Sequence, residues 1–146
     1  TRLRIGEGNV FREHVTIHRS TSPEGETLIG SNCLFMAGSH VGHDSRLADH
    51  VILVNDCKLG GHVVVEERAF LSGLVLVHQF VRIGTLALAQ GGATITQDLP
   101  PFTIARNGVN ILCGLNTVGL RRAGVGGAER LELRQLYHAL FRGGLN

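Results

Sequence analysis

Residues 29–100 fall into twelve consecutive hexads: IGSNCL FMAGSH VGHDSR LADHVI LVNDCK LGGHVV VEERAF LSGLVL VHQFVR IGTLAL AQGGAT ITQDLP. Every hexad opens on an apolar residue: Ile29, Phe35, Val41, Leu47, Leu53, Leu59, Val65, Leu71, Val77, Ile83, Ala89 and Ile95. In a chain that is 43% hydrophobic, twelve in succession arise by chance with a probability of roughly 4 in 100,000. The period therefore belongs to the fold. Two residues before each opening residue runs a second series: Thr27, Cys33, Ser39, Ser45, Val51, Cys57, Val63, Ala69, Val75, Val81, Ala87 and Ala93. None is charged and none is larger than valine. A fixed six-residue register of this kind marks a parallel β-helix. Each hexad is one short strand plus a corner, and three hexads make one triangular coil. The opening residue is expected to point inward, and the small residue is expected to let the chain turn the corner.

Outward from this stretch the pattern changes twice. Ile5, Phe11 and Ile17 stand on the same ladder, but its next step falls on Pro23, inside Ser20-Thr-Ser-Pro-Glu-Gly-Glu26. That composition is a loop, so the chain is expected to leave the prism over about residues 19–27 and return in phase. At Pro100-Pro101 two N–H donors are missing, which predicts the end of the ladder. Two units follow: an all-β helix over 1–101 and a partly helical segment over 102–146. A short helix is expected near Asn116–Arg122. Leu133, Leu136, Tyr137, Leu140 and Phe141 follow the spacing of an amphipathic helix, which Gly143-Gly144 would end.

Composition bounds the function. At 146 residues, 18% charged and a net charge of +2, the chain suits one folded domain with a small appendage, and neither disorder nor nucleic-acid binding is indicated. Residues 1–101 carry eight Lys/Arg against ten Asp/Glu, whereas 102–146 carry six Arg against two Glu. That basic end suits phosphate. Cys33 and Cys57 fall in the small inward series and read as buried thiols. No apolar run reaches the roughly 18 residues of a membrane span, no signal peptide opens the chain, and the cytoplasm is the expected compartment. The chain starts in register and without Met, as a piece of something longer would.

A filled prism keeps its chemistry on its faces or between chains. Residues eighteen apart stack, so His43, Gly61 and Gln79 should form one column, with about 5 Å between steps. His40, Asp44, His62 and His78 flank it. An imidazole is the usual general base near neutral pH, and a neighbouring carboxylate can fix its tautomer. A glycine one coil along offers an unobstructed backbone N–H to an oxyanion. No Ser or Cys nucleophile stands in the column, which points to direct acyl transfer to an activated hydroxyl. Histidines on such faces are often only solvated or buried in an interface, and His14, His18, His50 and His138 are read that way. His40-x-x-His43 invites zinc, but the His-x-x-x-x-His pair of metal-dependent β-helix hydratases is absent. No metal and no cofactor are expected.

Taken in order, Val15-Thr-Ile-His-Arg19, Ser39-His-Val-Gly-His-Asp44, Gly60-Gly-His62, Val77-His-Gln-Phe80, Gln97-Asp-Leu-Pro-Pro101 and Gly114-Leu-Asn-Thr-Val-Gly-Leu-Arg-Arg122 resemble the acyl-carrier-protein-dependent UDP-N-acetylglucosamine O-acyltransferases of lipid A biosynthesis. The resemblance covers nearly the whole chain. It implies a left-handed parallel β-helix with a short α-helical tail, assembled as a homotrimer with sites between neighbours. It further implies transfer of a 3-hydroxyacyl group from acyl carrier protein to the 3-hydroxyl of UDP-N-acetylglucosamine, the first step of lipid A biosynthesis. By the same match His43 is the base, Asp44 its orienting partner and Gly61 the oxyanion donor. His40, His62, His78 and Gln79 line the substrate cleft, Asn116 and Arg122 hold the nucleotide, and Gly91 sits where acyl length is limited. Val118 stands where the family usually has Glu, Ala123 where a second Arg is common, and several N-terminal coils of the family are absent. Two alternatives stand beside this: a trimeric β-helix scaffold with weak or no activity, and a related sugar-nucleotide N-acyltransferase.

Overall fold

The computed structural model describes residues 1–142, and it is a left-handed parallel β-helix followed by two helices. Its strands build three faces. The first carries Arg2–Ile5, Glu26–Ile29, Arg46–Leu47, Val64–Val65 and Arg82–Ile83. The second carries Val10–Phe11, Leu34–Phe35, Ile52–Leu53, Phe70–Leu71, Leu88–Ala89, Thr103–Arg106 and Ile111–Leu115. The third carries Thr16–Ile17, His40–Val41, Lys58–Leu59, Leu76–Val77, Ala93–Ile95 and Gly108–Val109. Left-handed coiling departs from the usual right-handed crossover between parallel strands.

Both sequence series point inward. All twelve hexad-opening residues are buried, from Ile29 at 0% exposure to Val77 at 4%, and so is every member of the small series. Two inward residues per hexad fill a narrow triangular section, and small side chains in alternation with Leu, Ile and Phe leave no room for a substrate. Cys33 and Cys57 are buried here as expected, and burial pushes the Cys57 thiol up to about 12.

The corner itself is made one residue earlier than the sequence suggests. The fourth residue of every hexad but the last is left-handed: Asn32, Asp44, His50, Asp56, His62, Arg68, Leu74, Phe80 and Leu86 have φ between 54° and 66°, and Gly38 and Gly92 complete the set. The small residue follows the turn and fills the space inside it. At most of these corners the left-handed residue gives its N–H to a carbonyl one coil back, as in His50 to Ser31 at 2.9 Å and Phe80 to Gly61 at 3.0 Å.

The loop excursion returns in phase. Arg2 lies opposite Glu26 and Val10 opposite Leu34, twenty-four positions on, whereas Leu28 lies opposite Arg46, eighteen on. The first coil thus contains one extra hexad's length without loss of register. The paired prolines do not stop the ladder. Phe102 donates to Thr85 at 2.8 Å, and Thr103–Arg106 pairs in parallel with Leu88–Ala89. Pro100 and Pro101 occupy a corner, where no strand hydrogen bond is lost. The parallel run ends when Ile111–Leu115 turns back antiparallel onto Thr103–Arg106.

Helix α1, Thr117–Arg122, starts at Asn116, whose side chain accepts from the Gly119 N–H at 2.9 Å. Helix α2, Gly127–Phe141, begins with Gly126 donating to Glu129 Oε2 at 2.8 Å. Of its apolar stripe Tyr137 is buried, while Leu136 and Leu140 stay exposed. The expected Gly143-Gly144 stop lies outside the described residues.

Leu74 is 65% exposed at a left-handed corner, with φ of 61°. Leu74→Gly removes a left-handed penalty of about 1–2 kcal/mol and is expected to leave stability unchanged or raised. Ala69 is fully buried in the small series. Ala69→Leu is expected to cost about 1–3 kcal/mol by overpacking. Urea unfolding of the two variants checks the contrast.

Candidate functional site

The edge between the third and first faces gathers the chemistry. Each hexad that crosses it offers two outward positions, the third and the fourth. The third positions give the column His43, Gly61 and Gln79. The fourth, left-handed positions give a second column beside it, Asp44, His62 and Phe80. His43 Nδ1 and Asp44 Oδ2 are 2.8 Å apart. His62 Nε2 lies 3.9 Å from the same oxygen, and its ring meets His43 edge-on at 5.2 Å. Phe80 stacks flat on His62 with centroids 4.6 Å apart.

Gly61 is required by this geometry. A Cβ there would lie 2.8 Å from His43 Cε1 and Nε2, closer than van der Waals contact allows. Among the described residues the Gly61 N–H has no intrachain acceptor. The missing side chain therefore seats the ring, and the N–H stays available to a ligand.

The Asp44 carboxylate is held from several sides. Ser20 Oγ donates to Oδ1, and the Thr21 N–H and Oγ1 donate to Oδ2 at 3.1 and 2.8 Å. With the Ser20 hydroxyl as the main cause and the His43 hydrogen bond next, the carboxyl is held well below the usual aspartate range. Asp44 is thus an anion at neutral pH. Such an anion can only accept, so His43 Nδ1 donates to it, and in the neutral ring the lone pair then lies on Nε2.

A groove of about 400 Å³ opens along the third face. His18, His40, His43, Lys58, Gly61 and His78 are among its lining residues, with Leu76, Val77 and Thr94 supplying its less polar floor. His40 accepts or donates at Nδ1 to Thr16 Oγ1 at 2.8 Å and meets His18 edge-on at 4.7 Å. Burial is the main cause that lowers the His40 pKa, with the neighbouring His18 adding to it. His40 does not pair with His43, so the His-x-x-His spacing is not the set that converges. His43, Asp44 and His62 are, each with a ligand atom within 4.8 Å of the others. Oδ2 of Asp44, the atom a cation would need, already accepts from His43 Nδ1, Thr21 N and Thr21 Oγ1.

The remaining expected residues lie elsewhere. Gln79 is exposed on the column beyond the groove, with its carbonyl 3.1 Å from His78 Nδ1. Gly91 sits exposed at the edge between the second and third faces, where a Cβ would just touch the Gly73 carbonyl at 3.4 Å. Asn116 and Arg122 line a different cavity of about 340 Å³, between α1 and the second face, with His50, Arg68, Phe70 and Leu88. Asn116 is 6% exposed, and both ends of its amide are used, on Gly119 N and Leu86 O. It shapes the turn that presents Arg122. Within one chain neither residue reaches the His43 groove. His18, Lys58, Phe80 and the Ser20–Thr21 pair join the site without having been expected. His18 and Lys58 carried a signal: Lys58 lies opposite His40 one coil on, and His18 follows Ile17, which lies opposite Val41. Ser20 and Thr21 carried none.

A family model described as UDP-N-acetylglucosamine O-acyltransferase, domain 2, matches residues 98–146. Acyl-[acyl-carrier-protein]–UDP-N-acetylglucosamine O-acyltransferases from Gloeothece citriformis and Anaeromyxobacter are 42% and 45% identical. Each match covers 99% of this chain, and 52% and 57% of those proteins respectively. Among solved structures, the Arabidopsis UDP-N-acetylglucosamine acyltransferase superposes with a TM-score of 0.94 at 39% identity, covering 99% of this chain and 50% of that one. The Francisella novicida UDP-N-acetylglucosamine acyltransferase gives 0.93 at 36%, covering 99% and 53%. The chain spans about half the length of the curated relatives it matches.

Because its folded pKa is depressed, Asp44 stabilises the protein above the ordinary aspartate range, and that contribution is lost as pH falls below it. Asp44→Asn is expected to be less stable than the parent near neutral pH. The deficit should close below about pH 4, as urea unfolding across the acid range will show.

Proposed function

The chain belongs to the UDP-N-acetylglucosamine O-acyltransferase family, and on that premise we propose that it moves a 3-hydroxyacyl group from acyl carrier protein to the 3-hydroxyl of UDP-N-acetylglucosamine, the opening step of lipid A biosynthesis. The observation that carries this reading is the His43–Asp44 pair at 2.8 Å, seated against Gly61. His43 Nε2 takes the proton from the acceptor hydroxyl as its oxygen attacks the thioester carbonyl. The Asp44 anion holds Nδ1–H and favours the imidazolium that forms. The Gly61 N–H stabilises the oxyanion of the tetrahedral intermediate. When the carbon–sulfur bond breaks, the imidazolium returns its proton to the departing thiolate. The less polar floor of the third-face groove suits an acyl chain, and His40 and His78 line the same groove.

Arg122 carries the nucleotide in this reading, because a guanidinium suits phosphate oxygens. It faces a cavity on another edge of the prism from His43. A complete site then takes His43 from one chain and Arg122 from a neighbour, which supports a homotrimer with its sites at the interfaces. The scaffold alternative needs no such division of residues.

His43→Ala is expected to lower the transfer rate by about 10²–10⁴ with the melting temperature near that of the parent. A variant as fast as the parent would refute the base.

Arg122→Ala should weaken UDP-sugar binding by about 1.5–3 kcal/mol, read by calorimetry. Mixing His43→Ala chains with Arg122→Ala chains, then exchanging subunits, should restore about a quarter of the parent's sites, because each site needs one intact residue from each of two chains. No recovery after exchange would place both residues in one chain's site.

A further inference from the structure

Residues 20–25, the one excursion between coils among the described residues, leave the prism at the edge that carries the His43 and Asp44 columns. They sit between Thr16–Ile17 on the third face and Glu26–Ile29 on the first. The regular corner is altered beneath it. His62 and Phe80, one and two coils along, donate their N–H to the carbonyls of His43 and Gly61 at 2.9 and 3.0 Å. At Asp44 the acceptor is instead the Thr27 hydroxyl at 2.8 Å. The extra hexad thus changes the coil directly above Asp44 and puts two hydroxyls and a backbone N–H where a regular coil would put only a corner.

Three anchors hold this loop in place. Ser20 N donates to Arg2 O at 3.1 Å, Arg2 N donates to Gly25 O at 3.1 Å, and Gly25 N donates to Ser22 O at 3.1 Å. Ser20 is 2% exposed, and its Oγ accepts from Ser22 N at 3.0 Å while donating to Asp44 Oδ1. Gly25 closes the turn. A Cβ there would stand 2.4 Å from Ser20 Oγ and 3.2 Å from Asp44 Oδ1. The loop therefore packs onto the carboxylate itself. The Asp44 side chain is left 10% exposed.

We propose that the Ser20–Gly25 loop is a positioning element for the catalytic pair, with Ser20 and Thr21 as positioning residues that fix the Asp44 carboxylate so that it can align His43. This rests on the reading of His43 as general base, and it adds a segment of the first coil to the machinery. A carboxylate with only the imidazole for a partner can rotate about its terminal torsion. Donors at both Oδ1 and Oδ2 fix its plane and leave one direction, toward His43 Nδ1 at 2.8 Å. The ionisable groups that face Asp44 are His43 and, at 3.9 Å, His62.

The test is a double-mutant cycle on the 146-residue chain. Ser20→Ala combined with Thr21→Val removes both hydroxyls. In the parent background kcat should fall about 10-fold, as displaced catalytic groups do, with KM within about twofold. Thr21→Ser, which keeps its hydroxyl, should retain the parent kcat. In an Asp44→Asn background the same pair of changes should cost no further activity. Equal losses in both backgrounds would overturn the proposal, because a loop that only closes the coil does not act through Asp44. Melting temperature against pH supplies a second cycle that needs no turnover. Without the two hydroxyls the Asp44 pKa moves back toward its unfolded value, so the double variant should melt lower than the parent near neutral pH, a shift that closes below about pH 4. That shift should vanish with Asp44→Asn. A drop of equal size at every pH and in both backgrounds would overturn the proposal. If the parent transfers no acyl group, the assigned reaction fails, while the melting cycle still decides whether Ser20 and Thr21 hold Asp44.

Discussion

The fold depends on a trade between strained corners and an unbroken ladder. Twelve non-glycine residues among those described sit at left-handed φ. At about 1–2 kcal/mol each, the corners together oppose folding by as much as a whole domain's net stability, about 5–15 kcal/mol. What offsets them is repetition. Each coil hydrogen-bonds to the coils beside it, and each hexad buries two side chains in the same narrow section. Neither term suffices alone, since two-residue strands have little stability without neighbours. Most structural contacts therefore run along the axis, from one coil to the next.

That economy fixes where function can be. The interior is full, and a two-residue strand presents one side chain outward. The corners give two outward residues in succession, at a spacing repeated in every coil. His43 and Asp44 occupy such a pair, and Gly61–His62 and Gln79–Phe80 repeat it one and two coils on. The left-handed turn at Asp44 brings its carboxylate to the imidazole of the preceding residue. The same strain that the fold must tolerate everywhere is here the geometry of the pair.

Much of this was readable from the chain and some was not. The ladder from Ile29 to Ile95 was legible because inward positions tolerate only apolar or small residues, and one misplaced charge would have broken the pattern. Stacking of His43 over Gly61 followed from the eighteen-residue coil by arithmetic. The corner position was illegible for the opposite reason. His50, Arg68, Leu74 and Phe80 are poor left-handed residues by intrinsic preference, and neighbouring coils impose the conformation on them. The parallel strand after Pro101 was missed because proline harms a ladder only where an N–H is used. Asn116 is placed on a ligand by resemblance, and spacing gave no sign that its buried amide also bonds Gly119 and Leu86. Ser20 and Thr21 lie in a segment without a period, where spacing says nothing about what a residue touches.

The twenty-four-residue first coil also bears on how such proteins diversify. An insertion placed at a corner, in a multiple that returns the chain to the same face, leaves every inward side chain where it was. An insertion inside a strand would turn the core outward by one residue. The prism edges are thus the fold's open ports for evolutionary trial. New loops can be added there, lost or replaced, each tried against whatever side chains the neighbouring coils already display, with the scaffold unaware of the exchange.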